Sequence, residues 1–151
     1  MIGWRRHCLA VLAALALVPK ADGVPRITEF SANNQNGLED EDGETSDWIE
    51  ILNPGPADLD LDGFSLTDDL DDLKKWTFPR HVLGSGQRFL VFASGKDRRD
   101  GGERFHTNFR LGRNGGWLAL VDGSGLVVSQ FADYPMQPED VSYGLDGDEA
   151  G

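Results

Sequence analysis

Cysteine is almost absent from this chain: Cys8 is the only one, and it lies in an apolar N-terminal run expected to be removed. Beyond residue 23 there is no thiol, so disulfides cannot hold the domain together. Thiolate metal sites and cysteine nucleophiles are excluded with them. Long hydrophobic runs are missing too. The longest, Cys8 to Val18, has eleven residues, whereas a membrane-crossing helix needs about 20. Preceded by Arg5 and Arg6 and followed by Pro19-Lys20-Ala21-Asp22-Gly23, it has the order of a secretory signal peptide, residues 1–23, with cleavage expected before Val24. The address is then exported: extracellular, cell surface or periplasm, with no stable membrane span after cleavage.

Positive charge is the next scarcity. From Glu39 to Asp72 there are fourteen acids and no Lys or Arg. Removing residues 1–23 takes away three bases and one acid, leaving 11 − 25 = −14. Nucleic acid is disfavoured as a partner, because phosphate binding needs a basic footprint. The bases that exist are concentrated later, six against three acids from Lys96 to Arg113.

Catalytic signatures are also missing. There is no G-x-S-x-G elbow, since Gly123-Ser124-Gly125 lacks that spacing, and no H-E-x-x-H pair. Neither phosphate-binding glycine pattern occurs. After residue 23 the histidines are His81 and His106, and His106 in FHTNF reads as a loop or strand-edge residue. Acids abound, but nothing singles out one acid and one base for glycoside chemistry. Trp48, Trp76 and Trp117 could stack on sugar, but alternating strand positions favour core or sheet-face roles.

What is present is organised around LEDEDGETSDWIEILNP, residues 38–54. Seven carboxylates fall within thirteen residues, and the stretch then turns apolar. Asp42-Gly43 signals a turn and Trp48 to Asn53 a strand, stopped by Asn53-Pro54-Gly55-Pro56. The remaining expectations are nearly all β. Strands are expected at Arg26 to Ser31, Gln87 to Ala93 (central) and Trp76 to Pro79. Two short pieces flank Asp62-Gly63. A hairpin joins Trp117–Val121 to Leu126–Phe131 through Asp122-Gly123-Ser124-Gly125, and a last strand starts at Val141 to Gly144. Only Leu66 to Lys74 and Ser94 to Arg99 suggest helical turns. Seven or eight short strands at this spacing predict an all-β sandwich, with a small antiparallel barrel as runner-up.

Taken together, ITEF (27–30), DEDGETSDWIEILNPG (40–55), LDLDGFSLTDD (59–69), KWTFP (75–79), GQRFLVFASGKDR (86–98), FHTNFRLG (105–112), GGWLALVDGSGLVVS (115–129) and DVSYG (140–144) carry a resemblance. In this order they resemble the lamin tail domain, in its secreted bacterial form. The resemblance implies an immunoglobulin-like sandwich over residues 24–145. It implies structural roles for Ile49 and Ile51 as an inward pair, and for Gly63, Phe64, Trp76, Phe78, Pro79 and Gly86. In the family the last strand runs past a VSYG-like motif, so 146–151 reads as a short, truncated acidic tail. Family members are often joined to nuclease, phosphatase, kinase-like or lectin-like domains. With an export signal and no coiled-coil rod before it, nuclear-lamina roles do not transfer.

One cofactor suits these residues. Ca²⁺ takes six to eight oxygens, and clustered carboxylates supply them without thiol or imidazole. Asp40, Asp42, Asp47 and Glu50 are the expected ligands, with Asp68 and Asp69 a second cluster that could approach; a solvated acidic turn is the alternative. The functional expectation is a non-catalytic exported module for adhesion or assembly, binding a protein or cell-surface partner, or tethering an enzyme. The competing expectation is an accessory fragment of a larger secreted hydrolase or kinase-like enzyme.

Overall fold

Alternation of apolar and polar residues commits most of this chain to strands, and a computed structural model describes how they assemble over residues 23–100 and 104–145. The expected signal peptide, in its residues 1–22, and the expected tail 146–151 lie outside the described residues. Eleven strands are described: β1 (Arg26–Ser31), β2 (Asp47–Leu52), β3 (Leu59–Asp60), β4 (Ser65–Thr67), β5 (Trp76–Thr77), β6 (Val82–Leu83), β7 (Arg88–Ala93), β8 (Phe105–His106), β9 (Gly116–Val121), β10 (Val127–Tyr134) and β11 (Tyr143–Gly144). A five-stranded sheet runs β11-β1-β2-β7-β8, a four-stranded sheet runs β10-β9-β4-β5, and β3 with β6 forms a ribbon. The sheets remain separate, so the architecture is an immunoglobulin-like β-sandwich, not a barrel.

The core lies between the two sheets. Ile49 and Ile51 on β2 are fully buried, with Val91 and Ala93 on β7 and Leu118 and Leu120 on β9. Trp76 and Phe78 fill the space beside β5, their rings 4.8 Å apart at 76°. Pro79 follows them half-buried, and Phe64 packs on the core edge. Gly63 and Gly86 sit at φ +83° and +69°, the left-handed region that costs glycine nothing and other residues strain.

Simple alternation does not explain β1. Ile27 and Phe30 are three residues apart, yet both are completely buried. Ile27 pairs with Ile51 and Phe30 with Ile49, which are two apart, and the register shifts between Ile27 and Glu29. Thr28 is the extra residue of a β-bulge, which returns Phe30 to the core face. β10 uses the same device: its register shifts between Phe131 and Tyr134, with Asp133 at φ +50°. Phe30 thereby meets Phe131 at 5.2 Å and Tyr134 at 4.7 Å, across the sandwich.

Neither expected helical turn becomes a helix; residues 69–75 make two separate turns, Asp72 N on Asp69 O and Lys75 N on Asp72 O. In 66–74 the acids cap their own backbone: Asp71 N donates to Asp69 Oδ1 and Lys74 N to Asp72 Oδ1. Such local bonds compete with helix, and Leu66 itself belongs to β4. In 94–99 the backbone bonds elsewhere, with Asp97 N on Thr107 O and Arg98 exchanging two bonds with His106.

Candidate functional site

The acidic loop folds around one carboxylate. Asp40 accepts hydrogen bonds at Oδ1 from the amides of Asp42 (2.9 Å) and Glu44 (3.1 Å), and at Oδ2 from Ser46 Oγ (3.1 Å). Gly43, at φ +76°, makes the turn these bonds require. Its side chain fully covered, Asp40 receives Lys96 Nζ at 2.6 Å. The same ammonium lies 2.6 Å from Asp42 and 2.9 Å from Glu44. An ammonium has three N–H donors, and here three carboxylates meet them. Burial alone would raise the Asp40 pKa; Lys96, the two amides and Ser46 outweigh it and hold the group at about 2.

A second latch lies beside the first. Arg98 Nη1 is 2.8 Å from both Glu41 and Asp42. Glu41 also meets His106 Nε2 at 2.9 Å, while His106 Nδ1 lies 2.8 Å from Ser94 Oγ. His106 is on β8, an edge strand, yet has no exposed surface, because Phe92 stacks on it at 5.2 Å and the acidic loop covers it. Ser94 Oγ accepts the Lys96 amide at 3.2 Å, so every polar atom is satisfied when His106 donates from Nε2 and accepts at Nδ1. In Glu41, desolvation is outweighed by His106 and Arg98, and its pKa falls to about 2. The Ser–His–carboxylate order is that of an acyl-transfer relay. A nucleophile needs an open approach, however, and Ser94 is 3% exposed.

The four expected calcium ligands therefore separate. Asp40 and Asp42 stand together with Glu44, their donor atoms within 4.8 Å of one another, close enough to hold a metal ion. Asp47 and Glu50 bond elsewhere. Glu50 accepts Thr28 Oγ1 at 2.5 Å and Arg88 Nη1 at 2.7 Å. Asp68 pairs with Lys75 at 2.7 Å and does not join the loop's cluster. Of the tryptophans, Trp76 is core, while Trp48 is half-buried and Trp117 donates to Gln130 Oε1.

Asp47 opens onto a different feature. A cleft of about 610 Å³ lies at one end of the sandwich, between 32–35 after β1, 43–47 before β2, 93–94 at the end of β7, and 110–113. Burial pushes the Asp47 carboxyl above its ordinary pKa, against the amides of Asn34 and Leu111 and the charge of Arg110. Arg110 is anchored by Nε on Ser94 O at 2.9 Å. The sequence reading did not single out Lys96, Arg98, Arg110 or Arg113. The available signal was the Lys96 to Arg113 basic block, the only dense source of counter-charge for the acidic loop.

Sheet order and a buried inter-sheet core define the molecule as an immunoglobulin-like module. The sequence matches the family model of the Lamin Tail Domain over residues 19–134, so the chain belongs to that family. No curated relative matches it.

Proposed function

We propose that this chain is a non-catalytic, exported binding or assembly module whose ligand-facing part is the end-of-sandwich cleft. The observation that carries this is the cleft itself. Its volume falls in the range of about 300–1,000 Å³ typical of ligand sites. Loops at the end of a rigid sandwich frame it, the place where such folds put recognition. The latched loop 40–46 gives it a fixed wall. A cell-surface or matrix component is the expected partner, and a tethered enzyme would be positioned by the same contact.

Calcium stabilisation is the second reading. Asp40, Asp42 and Glu44 are its donors, and an ion entering there displaces the Lys96 ammonium.

The cleft reading is tested by Thr45→Trp, which fills the space without adding charge. Labelled full-length parent should bind the surface of the producing cells saturably. The variant, shown to melt like the parent, should bind at least tenfold more weakly. Equal binding by both, or no saturable binding by the parent, removes the cleft from this role.

A further inference from the structure

We infer that the cleft recognises an oxyanion, a carboxylate or sulfate group carried by a polar ligand, through the guanidinium groups of Arg110 and Arg113; this rests on the cleft being the binding site. Just over half of the described lysines and arginines are spent internally. Lys75, Arg80, Arg88, Lys96, Arg98 and Arg99 each meet a carboxylate. Arg26, Lys74, Arg104, Arg110 and Arg113 make no such contact among the described residues; of these, Arg110 and Arg113, both exposed, line one cleft, and the charge of Arg110 reaches Asp47 there. Arg110 spends Nε on Ser94 O, which fixes the side chain; its Nη groups have no hydrogen-bond partner among the described residues. The Arg113 guanidinium has none at all among them. Two planar, permanently charged donors with unspent N–H groups at one cavity are what bidentate oxyanion recognition uses.

The acids around the cleft do not cancel this. Glu44 is held 2.9 Å from Lys96. Asp140 does not line the cleft but bonds to its wall, its carboxylate accepting the amides of Gln35 at 2.7 Å and Asn36 at 2.9 Å. Asp47 remains the one acid of the cleft without an ion pair; it accepts the Asn34 amide, and its single charge opposes two guanidinium groups. The strongly negative remainder of the chain is screened, because at 0.15 M salt the Debye length is about 8 Å. Among the described residues no aromatic ring lines the cleft.

The test is amide and arginine side-chain NMR on the ¹⁵N-labelled full chain, titrated separately with sodium sulfate and sodium acetate against sodium chloride at equal ionic strength. At least one oxyanion should give saturable shifts at Ser94, Arg110 and Arg113 that chloride does not. Arg110→Gln and Arg113→Gln should each weaken that binding about tenfold or more, while Asp47→Asn should strengthen it by removing the opposing charge. Whichever anion saturates identifies the group as sulfate or carboxylate. Shifts that match chloride, or that persist in the Arg110→Gln/Arg113→Gln double variant, overturn the inference. Cell-surface binding that survives in the double variant but is lost in Thr45→Trp overturns the oxyanion alone and leaves the cleft as the binding site.

Discussion

Asp47 and Asp40 show how two aspartates seven residues apart take opposite electrostatic roles. Asp40 is covered but receives an ammonium and three further donors, so its charge is held. Asp47 accepts the Asn34 amide at a long 3.5 Å and has no ion pair, so burial raises its pKa. For a group raised on folding, the stabilising contribution is complete below the unfolded pKa and disappears as pH rises through the folded one. At neutral pH the charged Asp47 therefore costs stability. Asp47→Asn keeps an acceptor for the amides and removes the charge. It should raise the melting temperature at pH 7, and the gain should shrink to nothing near pH 3, where both side chains are neutral. Thermal melts at the two pH values check this; a gain that stays constant with pH would refute it.

At the scale of elements, the acidic loop and the basic segment act as one unit. Lys96 closes the first turn of the loop and Arg98 with His106 closes the second, so residues 39–46 lie on the five-stranded sheet. Removing the cation leaves the covered Asp40 carboxylate without its main partner. Lys96→Met should cost about 3 kcal/mol, the range found when one side of a buried pair is deleted. It also vacates the centre of Asp40, Asp42 and Glu44. Calorimetry at 0.15 M salt should then show no saturable Ca²⁺ heat for the parent, and a Ca²⁺-dependent rise in melting temperature for Lys96→Met by mass action. Saturable Ca²⁺ binding by the parent would instead establish the calcium reading. The two bulged strands are a second element-scale device: without Thr28 or the Asp133 irregularity, Phe30 and Tyr134 would turn away from each other, because a one-residue slip exchanges the faces of a strand.

For the whole molecule, acid is the condition that undoes the arrangement. Asp40 and Glu41 are both lowered to about 2 from ordinary values of 3.8 and 4.5. A lowered group contributes stability that is present above its unfolded pKa and lost as pH falls through the folded one. Asp40 alone accounts for about 2 kcal/mol over that window, at 1.36 kcal/mol per pKa unit. The protein should hold its stability down to about pH 4.5 and lose it steeply between pH 4 and 2 in denaturant titrations. The loss should be smaller in Lys96→Met, whose Asp40 has less to lose. A parent whose stability is flat across pH 4 to 2 would show that the latch carries no load.

How much of this was legible beforehand follows from the range of each interaction. Strand positions, the hairpin at Asp122 to Gly125 and the buried pair Ile49 and Ile51 depend on local alternation and turn chemistry, which the order of residues carries directly. The sandwich follows from many short strands and the absence of a helical period. The bulge at Thr28 was not visible, because a one-residue irregularity is defined only against the partner strand. The helical turns were misjudged at Ser94 to Arg99 for the same reason: their backbone groups pair with 106–107. Asp40 and Asp42 were legible as a cluster, but not the fate of Asp47 and Glu50, which the pleat of β2 sends to different neighbours. Composition fixed two charge blocks of opposite sign. Only the tertiary structure decided that they neutralise each other, since the parallel pairing of β8 on β7 sets His106 beneath Glu41 and the turn after β7 carries Lys96 into the acidic loop. Arg110 and Arg113 line the cleft without joining an ion pair, and no local pattern can express which cations the fold leaves unpaired.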